Sequence, residues 1–431
     1  MNLLSTGSRN FVLALSMLLA AGSTVSALAA PASQPGNDWP KWRGPNGDNI
    51  PPITAFPADL GKGLKKLWAV NDLCRGKNSG AWSCPVISGD RLVVTGRDEA
   101  NDTVVCLNSD TGEKVWSTQI ESPAVKDVQY GNGPRATPII DGDRVYTFGC
   151  MGLLVCQSLA DGKEIWKVNV KDLGGQQPIW GFSSSPLIVG DRIVVQIGGK
   201  SAAVALNKKT GAKVWASVPG PTGYAAITPA KLAGQEVLLA FTGNSLLGLN
   251  GETGEKKWEV GWPTAMSMNC ATPIQLSADT VLLTSTEHGK SGGMALVKVG
   301  PDGAKTVWEN HELGPAHNDP VVIDNHAYAY TGFSLNPKGF CCVDLATGKQ
   351  TWYSDQLGGP GTVIRVGDNL LCLNNRGKLL LVKPSVEGAT KLSEFAPFTG
   401  DVNPVWTQPV IARGKLYVRF ANQLVCYEIG Q

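Results

Sequence analysis

A short turn between two apolar runs recurs eight times along this chain, and a sequence built that way has few folds open to it. Four copies are explicit: Ser88-Gly-Asp-Arg91, Asp141-Gly-Asp-Arg144, Val189-Gly-Asp-Arg192 and Val366-Gly-Asp-Asn369. Four weaker copies stand at Leu232-Ala-Gly-Gln235, Ser277-Ala-Asp279, Ile323-Asp-Asn325 and Ala412-Arg-Gly414. Gly and Asp tolerate the positive φ that tight hairpins demand, which is why they recur here. Each turn leads into a strand such as Arg91-Leu-Val-Val94, then a third strand such as Val104-Val-Cys-Leu-Asn108. A Thr-Gly or Asp-Gly turn and a fourth strand ending in tryptophan follow.

Those tryptophans are Trp116, Trp166, Trp215, Trp258, Trp308 and Trp352, spaced 43 to 50 residues apart. That is the period of a four-stranded propeller blade. The seventh copy ends in Phe395 instead, and the eighth, from Trp406 to Ile429, has only three strands. Its missing fourth strand is expected from Leu64 to Trp68, which would close the ring and remove two exposed sheet edges. The expected fold is all-β: an eight-bladed propeller of four-stranded antiparallel blades over residues 64–431, closed by an N-terminal strand. The repeat tryptophans, with Trp68, are read as blade-docking residues.

Composition agrees. The 51 glycines and 13 tryptophans suit short strands and tight turns, and with only 17% charged residues the chain does not read as disordered. Lys+Arg 38 against Asp+Glu 36 gives no basic surplus for nucleic acid. Arg9, the apolar run Phe11–Ala20 and Ala27-Leu-Ala29 read as a signal peptide over residues 1–29 cleaved after Ala29. No second long apolar run exists, so no transmembrane segment is expected, and the protein is placed in the periplasm or outside the cell as a monomer. Residues 30–63 form an N-terminal extension carrying Trp39-Pro-Lys-Trp-Arg-Gly-Pro45. The first cysteine is Cys74, so the cleavage site offers no lipid-accepting thiol.

Ten cysteines in an exported chain invite a disulfide framework. Cys106, Cys156, Cys342 and Cys426, however, share a third-strand position that is Ala205 and Gly248 in other blades, which asks for a small buried side chain. These four are expected as free thiols. Cys341 and Cys342 lie within a strand and point to opposite faces, which disfavours a vicinal disulfide. Cys74 and Cys84 are the best candidates for a bond. No Cys-x-x-Cys spacing or histidine cluster supports a metal site.

The repeated strand, Thr-Gly, Gly-Lys and Trp pattern resembles the PQQ-like (quinoprotein-type) repeat propellers, over nearly the whole mature chain. The Trp39–Pro45 segment resembles the leader of secreted members. Two branches of that group differ in what they imply: dehydrogenases using pyrroloquinoline quinone with calcium, and non-enzymatic BamB-like scaffolds of outer-membrane assembly. The resemblance places a funnel mouth where each innermost strand begins. Three residues before that point stand Trp82, Arg135, Ser183, Ala226, Cys270, His317, Pro360 and Trp406, and one residue before it stand mostly small polar residues, among them Thr137, Ser185, Thr272 and Asp319. Trp82, Arg135, Trp180, Tyr224, Asn269, His317, Asp319 and Trp406 are the expected ligand-binding residues, with Glu287, His288 and Arg376 on outer loops as secondary candidates. Asp319 is the one carboxylate near this ring, too few for calcium. A ligand- or protein-binding scaffold without catalysis and without cofactor or metal is therefore expected. The alternatives are a quinone-dependent alcohol or sugar dehydrogenase, and a carbohydrate- or peptide-binding propeller.

Overall fold

The hairpin turns set the local structure. In the computed structural model, which describes residues 37–430 apart from 54, 125–127, 129, 289–290, 316, 334–335 and 400–405, Gly89, Gly142, Gly190 and Gly367 hold φ between 57° and 61°. Three of the four weaker copies place two consecutive residues at positive φ, Ala233-Gly234, Asp324-Asn325 and Arg413-Gly414, the backbone of a type I′ hairpin; the Ser277–Asp279 copy has none. The expected signal peptide lies outside the described residues.

The strands form eight sheets, each ordered as in the sequence except for the closing blade. Blade 1 holds Val86–Ser88, Arg91–Asp98, Asn101–Asn108 and Lys114–Glu121. Blades 2 to 7 begin at Ile139, Leu187, Thr228, Ile274, Val321 and Gly361. Blade 8 combines Val410–Ala412, Lys415–Phe420 and Gln423–Ile429 with Leu64–Val70, which pairs antiparallel to Gln423–Ile429 and sets Trp68 opposite Cys426. The N-terminal strand thus completes the ring. Blade 1 also gains an unanticipated fifth strand, Cys74–Arg75, running parallel to Arg97–Asp98.

One apolar core sits at each junction between neighbouring blades, including the junction of blade 8 with blade 1, where Tyr417, Leu424 and Trp68 meet Ile87, Leu92 and Val94. The repeat tryptophans have two neighbours. Within its own blade five of the six face a small third-strand residue, Trp116 opposite Cys106, Trp166 opposite Cys156, Trp215 opposite Ala205, Trp258 opposite Gly248 and Trp352 opposite Cys342, whereas Trp308 stands opposite Leu296. A Cβ on Gly248 would strike the Trp258 indole, so the ring lying across that position is what keeps it small. Across the junction the indole N–H of Trp116, Trp166, Trp215, Trp308 and Trp352 donates to a carbonyl of the next blade, as from Trp116 to Leu159 O at 2.9 Å and from Trp308 to Leu345 O at 2.9 Å. Its face also covers that blade's turn glycine: Gly112 lies under Trp68, Gly162 under Trp116 and Gly348 under Trp308.

All ten cysteines are free. Cys341 and Cys342 point into two different junction cores. The candidate Cys74–Cys84 bond does not form: the Cys74 thiol contacts Ala421 O at 3.7 Å, while Cys84 is turned into the blade 8 seam toward Gln408 O at 3.9 Å. Two buried polar latches supplement the cores. Arg419 donates to Ser83 O at 2.5 Å, Thr95 O at 2.6 Å and Ala421 O at 3.1 Å, tying blade 8 to blade 1. Gln196 does the same between blades 3 and 4 through Ala225 O and Phe241 O.

Candidate functional site

The lead-ins to the innermost strands run side by side, and their side chains stitch them together. Thr137 accepts a hydrogen bond from Cys84 N at 3.1 Å, Ser185 one from Thr137 N at 2.9 Å, and Asp319 one from Thr272 N at 2.6 Å. Each bond crosses one blade junction. Extended backbone turns residues two places apart to the same side, so the residues two places upstream converge in turn. Seven of the eight, Trp82, Arg135, Ser183, Ala226, Cys270, His317 and Trp406, line one cavity of about 200 Å³. Pro360 of blade 7 is not among them. Trp180 and Tyr224, from the loops entering blades 3 and 4, line it too, so six of the eight expected site residues are brought together.

The other two are not. Asn269 is fully buried and spent on backbone, donating to Thr242 O at 2.7 Å and Trp262 O at 3.1 Å. Asp319 is buried in an ion pair with Arg43 at 3.1 Å besides its bond to Thr272 N. That ion pair belongs to the Trp39–Pro45 segment, which crosses between blades. Trp39 exchanges backbone hydrogen bonds with Ile87, Pro40 O accepts from Ile140 N, and Trp42 Nε1 donates to Thr272 Oγ1 at 2.9 Å. Asn49 then accepts from Gln408 at 2.9 Å. Blades 1, 2, 5, 6 and 8 are all touched by this one segment, and Trp42 is a shared wall of the cavity and of a second space along the inner strands of blades 3 to 6. Arg43 at φ 64° and Gly44 at φ 80° turn the chain there, with Gly44 packed under the Trp39 ring.

Trp82 and Trp406 pack with ring centroids 4.9 Å apart, Tyr130 meets Trp406 edge-on at 4.9 Å, and His317 lies 5.1 Å from Trp406. Trp180 and Tyr224 form a second pair at 5.8 Å. Arg135 Nη1 donates to Gly131 O at 3.2 Å, and burial lowers its pKa from the ordinary arginine value. Burial, helped by the Arg135 charge, pushes His317 down to about 4, so the imidazole is neutral at neutral pH. Burial raises the Cys270 thiol to about 12. No carboxylate stands among the described lining residues, and no cluster of three His, Cys, Asp or Glu able to hold a metal ion occurs among the described residues. Arg376 is exposed in a turn away from the cavity, and the side chains of Glu287 and His288 lie outside the described residues.

Tyr130, Met266, Met268 and Trp42 line the cavity without having been expected there. Ser183, Ala226 and Cys270 share the register that identified Arg135 and His317, so that register was itself sufficient to find them. The two methionines sit on a loop with Met266 and Ser267 both at positive φ, which no repeat alignment reaches.

The family model described as outer membrane protein assembly factor BamB matches residues 58–147, 130–272 and 259–431. The chain belongs to the BamB family of propellers. A BamB of Burkholderia pseudomallei is 26% identical over 320 residues, covering 71% of this chain and 72% of that protein. A BamB of Alkalilimnicola ehrlichii is 29% identical over a shorter stretch, 31% of each chain. Among solved structures, BamB from Moraxella catarrhalis superposes with a TM-score of 0.56 at 13% identity, covering 85% of this chain and 97% of that one. Quinohemoprotein alcohol dehydrogenase from Comamonas testosteroni gives 0.61 at 14% identity, covering 92% and 81%. Identities this low speak for the fold alone. Both branches share the propeller, so the BamB fold leaves the chemistry to the site.

Proposed function

We propose that this protein is an exported, non-catalytic scaffold of the cell envelope that binds other proteins, in the manner implied by the name of its BamB relatives. Family membership over nearly the whole described chain supports this reading, and one observation of the site separates it from the dehydrogenase alternative. Calcium takes six to eight oxygen ligands, typically with carboxylates, and the described cavity lining has none. The nearest candidate, Asp319, is bound to Arg43 and Thr272, and Asn269 donates to Thr242 O and Trp262 O while its side-chain oxygen accepts from the Thr264 hydroxyl. The residues present do not fit calcium-bound pyrroloquinoline quinone, and no oxidation step is assigned to them. No helix of the described residues is long and apolar enough to cross a membrane.

Two measurements test the reading. N-terminal sequencing of protein recovered from the envelope of its own cell should begin at Ala30, and crosslinking there should trap outer-membrane proteins or their assembly machinery. Retention of residues 1–29 in the cytoplasm, or the absence of any crosslinked envelope protein, would overturn it. Dye-linked alcohol oxidation that depends on added pyrroloquinoline quinone and calcium would move the protein to the other branch.

A further inference from the structure

A ring of blades leaves a central channel, and the path of the N-terminal segment through it follows from its hydrogen bonds. The cavity lies where the innermost strands begin, so the hairpin turns that end those strands lie on the opposite face. Asn37 O accepts from Arg413 N at 2.9 Å and the Asp38 carboxylate from Gly89 N at 3.0 Å. The segment therefore starts at the turns of blades 8 and 1, on the face away from the mouth. Trp39 then pairs with Ile87, and Pro40 O with Ile140 N, both in innermost strands. Trp42 and Arg43 reach the lead-ins of blades 5 and 6 through Thr272 and Asp319, and Asn49 returns to Gln408 at the lead-in of blade 8. Blades 1 and 5, like blades 2 and 6, stand four places apart in a ring of eight. A chain bonded to both pairs crosses the channel.

The crossing is firmly anchored. Trp39 is fully buried in the core at the junction of blades 8 and 1, and Gly44, at φ 80°, lets the backbone pass in contact with its ring. Arg43 and Asp319 are both buried, so parting them would strand two charges, a costly state. Ser185, Ala226 and Trp42 border both the mouth cavity and the space along the inner strands of blades 3 to 6. Ser185 and Ala226 belong to the ring wall. Trp42 comes from the crossing segment, so its indole stands where the two spaces would join.

We infer that residues 38–49 are an axial plug, entering the bore from the face opposite the mouth, with the Trp42 indole as the seal beneath the mouth cavity. The cavity is thereby closed on the side of the plug. This goes beyond the scaffold reading and does not depend on it.

Cys270 reports on the seal. It lines the cavity two places before Thr272, the residue that holds the Trp42 indole, and burial raises its thiol to about 12. Water admitted where the Trp42 ring stood would bring that value back toward the ordinary thiol range and make the reactive thiolate more abundant, about tenfold for each unit. The purified chain and its variants are treated with N-ethylmaleimide under native conditions, and the rate at each cysteine is read by peptide mass spectrometry. Trp42→Ala should speed modification of Cys270 roughly tenfold or more, while Cys106 and Cys156, held in blade-junction cores, keep their rates. Trp42→Phe, which leaves a ring in place, should stay close to the unsubstituted chain. Thr272→Val removes the acceptor of the indole N–H and should give a smaller rise in the same direction; it carries the test where melting curves show that Trp42→Ala does not fold. An unchanged Cys270 rate in the folded variants would overturn the inference. So would a rise shared equally by Cys106 and Cys156, which would make Trp42 a general brace of the fold and not a seal. Either result leaves the scaffold reading standing, since that reading is tested by crosslinking in the envelope.

Discussion

Two glycines that both hold positive φ but lie in different surroundings test whether tryptophan docking holds the ring together. Gly89 has φ 57° with nothing within 4 Å of a built Cβ, whereas Gly112 has φ 74° and a Cβ there would lie 2.5 Å from Trp68 Cδ2. Alanine at either position bears the left-handed penalty of about 1–2 kcal/mol. At Gly112 it must also displace the Trp68 indole from the junction of blade 8 with blade 1, an overpacking cost of about 1–3 kcal/mol. Gly112→Ala should therefore lose about 2–5 kcal/mol against about 1–2 for Gly89→Ala. Urea unfolding followed by tryptophan emission reads the difference as a lower midpoint at unchanged slope. Repeating Gly112→Ala in a Trp68→Leu background should bring its cost down to that of Gly89→Ala, since the clashing ring is gone. Equal losses at the two glycines, or no relief in the double variant, would show that the indole does not bear on the neighbouring turn and that the ring closes by other contacts.

Arg419→Met removes the donors that satisfy Ser83 O and Thr95 O; with each stranded acceptor costing about 1–3 kcal/mol, a loss of about 3 kcal/mol or more in urea unfolding is expected, and a neutral substitution would refute the latch. Alkylation under denaturing, non-reducing conditions should modify all ten cysteines by mass spectrometry, and any disulfide at Cys106, Cys156, Cys342 or Cys426 would contradict the small-residue register. His317 has a folded pKa lowered to about 4, so between its ordinary value near 6.5 and about 4 the unfolded chain binds a proton that the folded chain does not. Stability should fall as pH drops through that window and be constant for this group above it; His317→Gln should flatten that limb, and an unchanged pH profile would refute the assignment. Asp319→Ala leaves the buried Arg43 cation without its partner and should cost about 3–5 kcal/mol, measured by the same unfolding curves; a loss confined to ligand binding would instead make Asp319 a site residue.

The amino-acid sequence by itself determined the ring. Turns such as Ser88–Arg91, the spacing of Trp116 to Trp352 and the orphan strand at Leu64–Trp68 are local or periodic signals, and periodicity survives translation into three dimensions because every blade repeats the same junction. The same register also anticipated most of the cavity, since residues at one height of a closed ring must face one axis: Trp82, Arg135, His317 and Trp406 meet although 324 residues separate the first from the last. Tertiary structure decided the rest. Asn269 stands one place from Met268 and Cys270, an offset that turns its side chain into the wall, where Trp262 O accepts from it; Asp319 shares the register of the lining residues Thr137 and Ser185, and is lost to the cavity because Arg43 claims it. Trp42 joins the cavity only because its segment crosses between blades, a path that no repeat encodes. Met266 and Met268 enter from a non-repeating loop, and Cys74 and Cys84, near in sequence, are held against different carbonyls. A repeat specifies what its copies share; along the cavity the copies differ, and those differences meet only when the closed ring brings them face to face.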